Sequence, residues 1–113
     1  MHFNPLELAV LEAMCAKAGA DAPALDRQIH SAAVQGRRNS GAGFFTSVLA
    51  DHADTPITAK TLSGVAADID GLRNPMVFVL FARDGFIDTL EGASVEEDTS
   101  SIDFSSAGSA IRQ

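Results

Sequence analysis

Cys15 and His30 are the side chains whose types suggest nucleophilic chemistry, a thiol with an imidazole to take its proton. A thiolate forms at neutral pH only beside a base or a positive field, so the pair requires two helices packed side by side. Asp26, four residues before His30, is spaced to hold the ring and favour its charged form. Against this, Cys15 falls on the apolar stripe of Leu8, Leu11 and Ala18, where a lone cysteine is usually a small hydrophobe. Asp26 and His30 likewise match an ordinary contact on a helix surface.

Asp51, His52 and Asp54 offer carboxylate and imidazole ligands within one segment. Metal sites gather ligands from separate packed elements, and no further His or Cys lies nearby, so exposed loop polarity is the expected reading. Arg37, Arg38, Asn39, Ser40, Gly41 and Gly43 combine positive charge with backbone able to expose several amides, the material of an anion nest. A phosphate loop runs from a strand through glycines into a helix, whereas these glycines lead into a strand, and turn or bulge geometry is expected. Asp68, Asp70, Asp84, Asp88 and Glu91 surround the apolar centre of the chain and would do acid and base work only if two of them faced each other. Glu91 stands apart because Leu90 and Gly92 flank it in an apolar hairpin. It is expected to bond Arg83, Arg73 or Arg38 as a structural ion pair. These residues yield no expected catalytic group, metal site or cofactor.

The elements that must position these groups follow from local chemistry. Asn4, Pro5 and Glu7 have the types of a helix cap, a first-turn proline and a residue reaching back to the cap, with Phe3 able to staple onto Leu8. Spacings of three and four then predict a helix over residues 5–18, ended by Gly19. Asp21 and Pro23 restart a helix carrying Leu25 and Ile29 on one face, expected to stop near Val34 or Gln35. Gly41 and Gly43 weaken helix, and the aromatic and β-branched residues after them predict a strand over 42–50. Residues 51–59 read as a surface loop, and Val65, Ala67 and Ile69 alternate with polar or small residues in a second strand over 61–70. Residues 76–82 are apolar throughout, as in a strand covered on both faces at the centre of a sheet. Asp84-Gly85 predicts a tight primed turn into an antiparallel partner over 86–92. Beyond Ala93 the acid- and Ser-rich segment carries only Ile102 and Phe104 in alternation, enough for one edge strand.

The expected architecture is α+β, with two N-terminal helices (about 5–35) on an antiparallel meander of four or five strands (about 42–105), all in one domain spanning 1–113. The net charge of −7 and a pI near 4.6 argue against nucleic acid and anionic lipid as partners. A single cysteine excludes an internal disulfide and suits a reducing compartment, and the start of the chain lacks signal-peptide character, so a cytoplasmic location is expected. The apolar run of 76–82 is far shorter than the roughly 20 residues of a membrane-spanning helix.

Gly41-Ala42-Gly43-Phe44-Phe45-Thr46, Leu80-Phe81 followed by Asp84-Gly85, and Leu90-Glu91-Gly92 form the patterns G-x-G-F-F-T, L-F-x-x-D-G and L-E-G. In these the chain, from about Pro5 to Gly92, resembles a family of small bacterial proteins. The resemblance implies a shared fold and no particular chemistry. An aromatic residue is expected soon after L-E-G, and Ala93, Ser94 and Val95 stand there instead.

Residues 76–82 raise a physical problem: Met76, Phe78 and Leu80 point opposite to Val77, Val79 and Phe81, yet two helices cover only one face. A curled sheet, the C-terminal segment or a second copy must cover the other, and a two-fold homodimer is the commonest such arrangement. The expected function is therefore a non-enzymatic interaction or regulatory protein, homodimeric, whose acidic surface could meet a basic protein partner, as inhibitory or immunity-type proteins do by analogy. The alternative is a small-molecule binder or weak enzyme with an apolar pocket lined by Phe44, Phe78 and Phe81 and Arg38, His30 or Glu91 as polar anchors.

Overall fold

Asn4 caps the first helix, α1 (Pro5–Ala16), through both halves of a capping box in the computed structural model, which describes residues 1–112. Its Oδ1 accepts from the Glu7 amide at 2.8 Å while its own amide donates to Glu7 Oε1 at 2.8 Å. A short 3₁₀ turn (Gly19–Asp21) follows, then α2 (Ala22–Ser31). Asp21 starts α2 but does not cap it with its side chain. Its carboxylate instead accepts from the Thr58 and Ala59 amides, tying the 51–59 loop to the helix pair.

The sheet has six antiparallel strands: β1 (Ala33–Asn39), β2 (Gly43–Leu49), β3 (Thr61–Ile69), β4 (Met76–Arg83), β5 (Phe86–Ala93) and β6 (Ser109–Ile111), in the order β1-β2-β5-β4-β3-β6. The α+β class and the antiparallel sheet are as the sequence predicts. The count exceeds the four or five strands expected, and the path is not a simple meander, because β2 returns to pair with β5 and the last strand joins β3. β4 and β5 occupy the centre, joined by Asp84 and Gly85, both at positive φ (53° and 89°), the backbone of a tight primed turn.

Two elements depart from expectation. The second helix stops at Ser31, and residues 33–39, expected as helix end and glycine loop, form edge strand β1. Only Val34 in it is fully buried, so no alternation of apolar residues marks the strand; cross-strand pairing with β2 makes it. At the other end, Ile102 and Phe104 form no strand. Phe104 turns inward against Phe44, with ring centroids 4.8 Å apart, while the closing edge strand lies further on at 109–111. Alternation of two apolar residues suits a loop with inward side chains as well as it suits a strand.

α1 lies over β3 and β6 and α2 over β5, on one face of the sheet. There Leu6, Val10, Leu11, Met14, Leu25 and Ile29 meet Phe44, Val48, Val65, Met76, Phe78, Leu80 and Leu90 in one continuous core. β2 enters the sheet in close approach to β5. Gly43 has φ +128°, and a Cβ there would sit 1.9 Å from the Gly92 carbonyl oxygen, so only glycine fits. Among the described residues, no helix is long and apolar enough to cross a membrane.

Candidate functional site

Glu7 is the fully buried acidic group among the described residues. It sits on the α1 face that carries Val10, Leu11 and Met14, and its side chain is wholly buried. Arg37 of β1 approaches as a fork, with Nε donating to Oε2 and Nη2 to Oε1, each at 2.8 Å. The Thr46 hydroxyl donates to Oε2 and the Asn4 amide to Oε1. Burial pushes the Glu7 carboxyl up, but hydrogen bonds from Arg37, Thr46 and Asn4 outweigh it and hold the group below the usual glutamate range. With both oxygens accepting twice, no lone pair is left to take a substrate proton. The ensemble is a structural ion pair fastening α1 to β1 and β2.

An open cleft of about 180 Å³ lies beside this pair, lined by Asn4, Arg38, Phe44, Ile102, Phe104 and Ser105 among others. Its deeper polar groups are spent within the chain: Asn39 bonds Thr99 and Ile102 through its Nδ2, and Asn4 bonds Glu7 and Ser105. No buried polar side-chain atom among the described residues lacks a partner.

The residues singled out from the sequence scatter. His30 is exposed, its Nδ1 2.8 Å from the Asp26 carbonyl oxygen and 3.5 Å from the Asp26 carboxylate. Cys15 donates its thiol to the Ala22 carbonyl at 3.2 Å, and burial, with the Asp26 charge, pushes the thiol pKa up, opposite to activation. Asp51 closes its own loop by accepting from the Ala53 amide, His52 stacks on Phe86 (centroids 4.1 Å apart, planes 13°) and Asp54 accepts from Ser31. No group of three or more His, Cys, Asp or Glu residues suited to a metal occurs among the described residues. Arg37 belongs to the Glu7 pair and forms no anion nest. Phe44 and Phe78 are buried together in the core, but Phe81 lies on the opposite face and does not share a pocket with them. Three positions along β4 reverse the side-chain direction, which is why the expected grouping fails.

That opposite face is the candidate site. No helix packs on it, and β1, β2, β5 and β4 set their outward side chains in rows. One row reads Arg38, Phe45, Glu91, Val79 through successive pairings. The next carries Ser47, Thr89 and Phe81, and Val77 stands beyond Val79. Val77 is 47% exposed and Phe81 37%, in strands at the sheet's centre. Arg38 lays its guanidinium over the Phe45 ring, 5.0 Å from the centroid.

Glu91 does not make the expected bond to Arg83, Arg73 or Arg38: Arg73 pairs with Glu97 at 3.7 Å, and Arg38 is held one strand further away by the intervening Phe45. Among the described residues, neither Arg38 nor Glu91 has a charged partner within ion-pair distance. The row thus sets apolar Phe45 and Val79 beside one cation and one anion, neither with a charged partner among the described residues.

The segments that carry the family-like patterns meet here, with Phe44 paired to Gly92 and Phe45 to Glu91. Gly43, Phe44, Thr46 and Leu90 are buried by contacts within the chain. Glu91 and Asp84 are the charged members of those strings, and neither is in a salt bridge among the described residues. Comparison with family models, curated proteins and solved structures returned no match.

Proposed function

We propose that this chain is a non-enzymatic interaction protein that binds a protein partner through the uncovered face of its sheet. The observation that carries this reading is the row Arg38-Phe45-Glu91-Val79, bordered by exposed Val77 and Phe81. Apolar side chains at the centre of a sheet, open to water and mixed with few charges, have the composition of an interface core with an arginine and aromatic anchor. Catalysis finds less support. The buried carboxylate is fully bonded, burial and the Asp26 charge push the Cys15 thiol pKa up, and His30 is exposed beside Asp26.

The test is quantitative capture from an extract of the native host, with the wild-type chain and a folded Val77→Asp/Phe81→Asp variant as parallel baits. Proteins retained by the wild type should be lost from the variant. Equal capture by both would remove the sheet face as the binding surface.

A further inference from the structure

We propose that the free edge of β1 takes up an extended acidic peptide as an added strand, running antiparallel to Arg37–Asn39. This goes beyond the sheet-face reading and uses main-chain groups at the side of the sheet.

β1 is an outer strand, and β2 occupies only one of its sides. The Ser40 amide donates to the Gly43 carbonyl at 3.0 Å, which fixes the phase of the ladder between them. Alternation along an antiparallel pair then turns the amide and carbonyl of Gly36 and Arg38 toward β2, and those of Arg37 and Asn39 away from it. Among the described residues, these outward groups meet no other main-chain group. Arg37 is exposed as a residue although its side chain is only 29% exposed, so its main chain faces water.

The edge already accepts one partner of this kind. The Val34 amide donates to the Met1 carbonyl at 2.7 Å, and the Val34 carbonyl accepts from the Met1 nitrogen at 3.2 Å. Arg37 and Asn39 offer the same pair of groups, about 7 Å apart along the strand.

What lies beside these positions selects the occupant. Cross-strand neighbours share a face, so a residue opposite Asn39 extends the row Gly92-Phe44-Asn39 and enters the cleft of about 180 Å³ beside Phe44, Ile102 and Phe104. That residue is apolar. The next, opposite Arg38, points to the other face, where the guanidinium has no charged partner among the described residues. It is Asp or Glu. The third, opposite Arg37, returns to the cleft near Asn4 and Ser105, whose polar groups suit a hydroxyl. An apolar-acidic-hydroxyl strand is held by paired main-chain hydrogen bonds at Arg37 and Asn39 and by one ion pair.

A second copy of the chain fits this edge poorly. Pairing β1 with itself about Arg38 sets that arginine against its own copy, and pairing about Arg37 leaves Arg38 opposite Gly36, still without an anion. The far edge of the sheet offers in β6 only three residues.

The experiment is an NMR titration of the isotope-labelled full chain with the capped peptide acetyl-Thr-Leu-Glu-Thr-Thr-amide, whose Leu, Glu and following Thr stand opposite Asn39, Arg38 and Arg37. The amide signals of Arg37 and Asn39 should shift, and their hydrogen exchange should slow. N-methylation of the Leu, or of the Thr after Glu, removes an edge bond and should weaken binding about tenfold, whereas N-methylation of the Glu, whose amide faces away from β1, should not. Replacing Glu by Lys in the peptide should weaken binding about fivefold, and Arg38→Glu should restore it for the lysine peptide. Circular dichroism checks that the variant folds. Val77→Asp/Phe81→Asp should bind the peptide as the wild type does, which keeps this result separate from that of the sheet face.

Arg37 and Asn39 amides unmoved by millimolar peptide overturn the proposal. Shifts there that grow with protein concentration in the absence of peptide replace the peptide by a second copy. Equal loss on N-methylation at the Glu and at its neighbours overturns strand addition, and binding indifferent to the change from Glu to Lys overturns the acidic partner.

Discussion

Glu7 shows how one side chain serves two levels of structure. Its position three residues after Asn4 completes a helix cap, and the same carboxylate receives the Arg37 fork and the Thr46 hydroxyl from the sheet. Removing the charge leaves Arg37, only partly exposed, without its partner. Glu7→Gln should lower stability by about 3 kcal/mol at neutral pH, measured by urea unfolding. The pH dependence has a definite sign. Because the folded state holds this carboxyl below the range of the unfolded chain, the unfolded chain binds more protons as the solution is acidified. The ion pair's contribution is present above the ordinary glutamate range, near pH 4.5, and is lost as pH falls through the lower folded value. The variant should show a shallower loss of stability in acid than the wild type. Hydrogen bonds from backbone amides hold Asp21 and Glu97 low in the same direction, so some acid sensitivity remains in the variant.

At the scale of elements, the joint between α2 and the β4–β5 hairpin depends on Gln28. Wholly buried, it donates through Nε2 to the Thr55 and Gly85 carbonyls at 2.9 Å each and accepts at Oε1 from the Ile87 amide at 3.0 Å. One amide thereby joins a helix, a loop and a tight turn, and it is the partner of the buried Ile87 amide. Gln28→Ala should cost about 2–4 kcal/mol, since orphaning that buried amide costs about 1–3 kcal/mol and the emptied side-chain volume adds to this. Hydrogen exchange offers the sharper measurement: the Ile87 amide should lose protection before the centre of β4 does. If protection falls evenly over the sheet, Gln28 is not a local clamp. The C-terminal segment is pinned in a similar way. Thr99, also buried, receives the Gly43 amide at 2.9 Å and bonds Asn39 at 3.0 Å, seating the loop that inserts Phe104 beside Phe44.

For the whole molecule the decisive asymmetry lies between the two faces of the sheet. The helices pack on one side, and Phe45, Val77, Val79 and Phe81 lie on the other. Both Val77 and Phe81 are substantially exposed in a strand at the sheet's centre, so Val77→Asp/Phe81→Asp should lower the stability of the chain itself by only about 1 kcal/mol per substitution. Scanning calorimetry of wild type and variant provides the check.

The sequence by itself determined what short-range chemistry controls. The Asn4–Glu7 cap, the Asp84-Gly85 turn and the two-sided apolar character of β4 each arise from neighbouring residues, and each was legible without coordinates. Period-two alternation likewise contained the separation of Phe78 from Phe81, against the pocket expected to unite them. Tertiary structure alone decided the rest. β1 is a strand because Ala33–Asn39 pairs with β2, although its own residues are mostly polar and exposed. The expected stripe of Leu8, Leu11, Cys15 and Ala18 left Glu7 among the polar positions; α1 instead buries Leu6, Val10, Leu11 and Met14 with Glu7 between them and leaves Leu8 exposed, and a buried carboxylate requires a partner. Finding that partner, and finding Glu91 without one, required knowing that β2 lies between β1 and β5. Strand order is set by contacts between residues distant in sequence, where burial and the pairing of polar groups are satisfied together, and no local pattern encodes it.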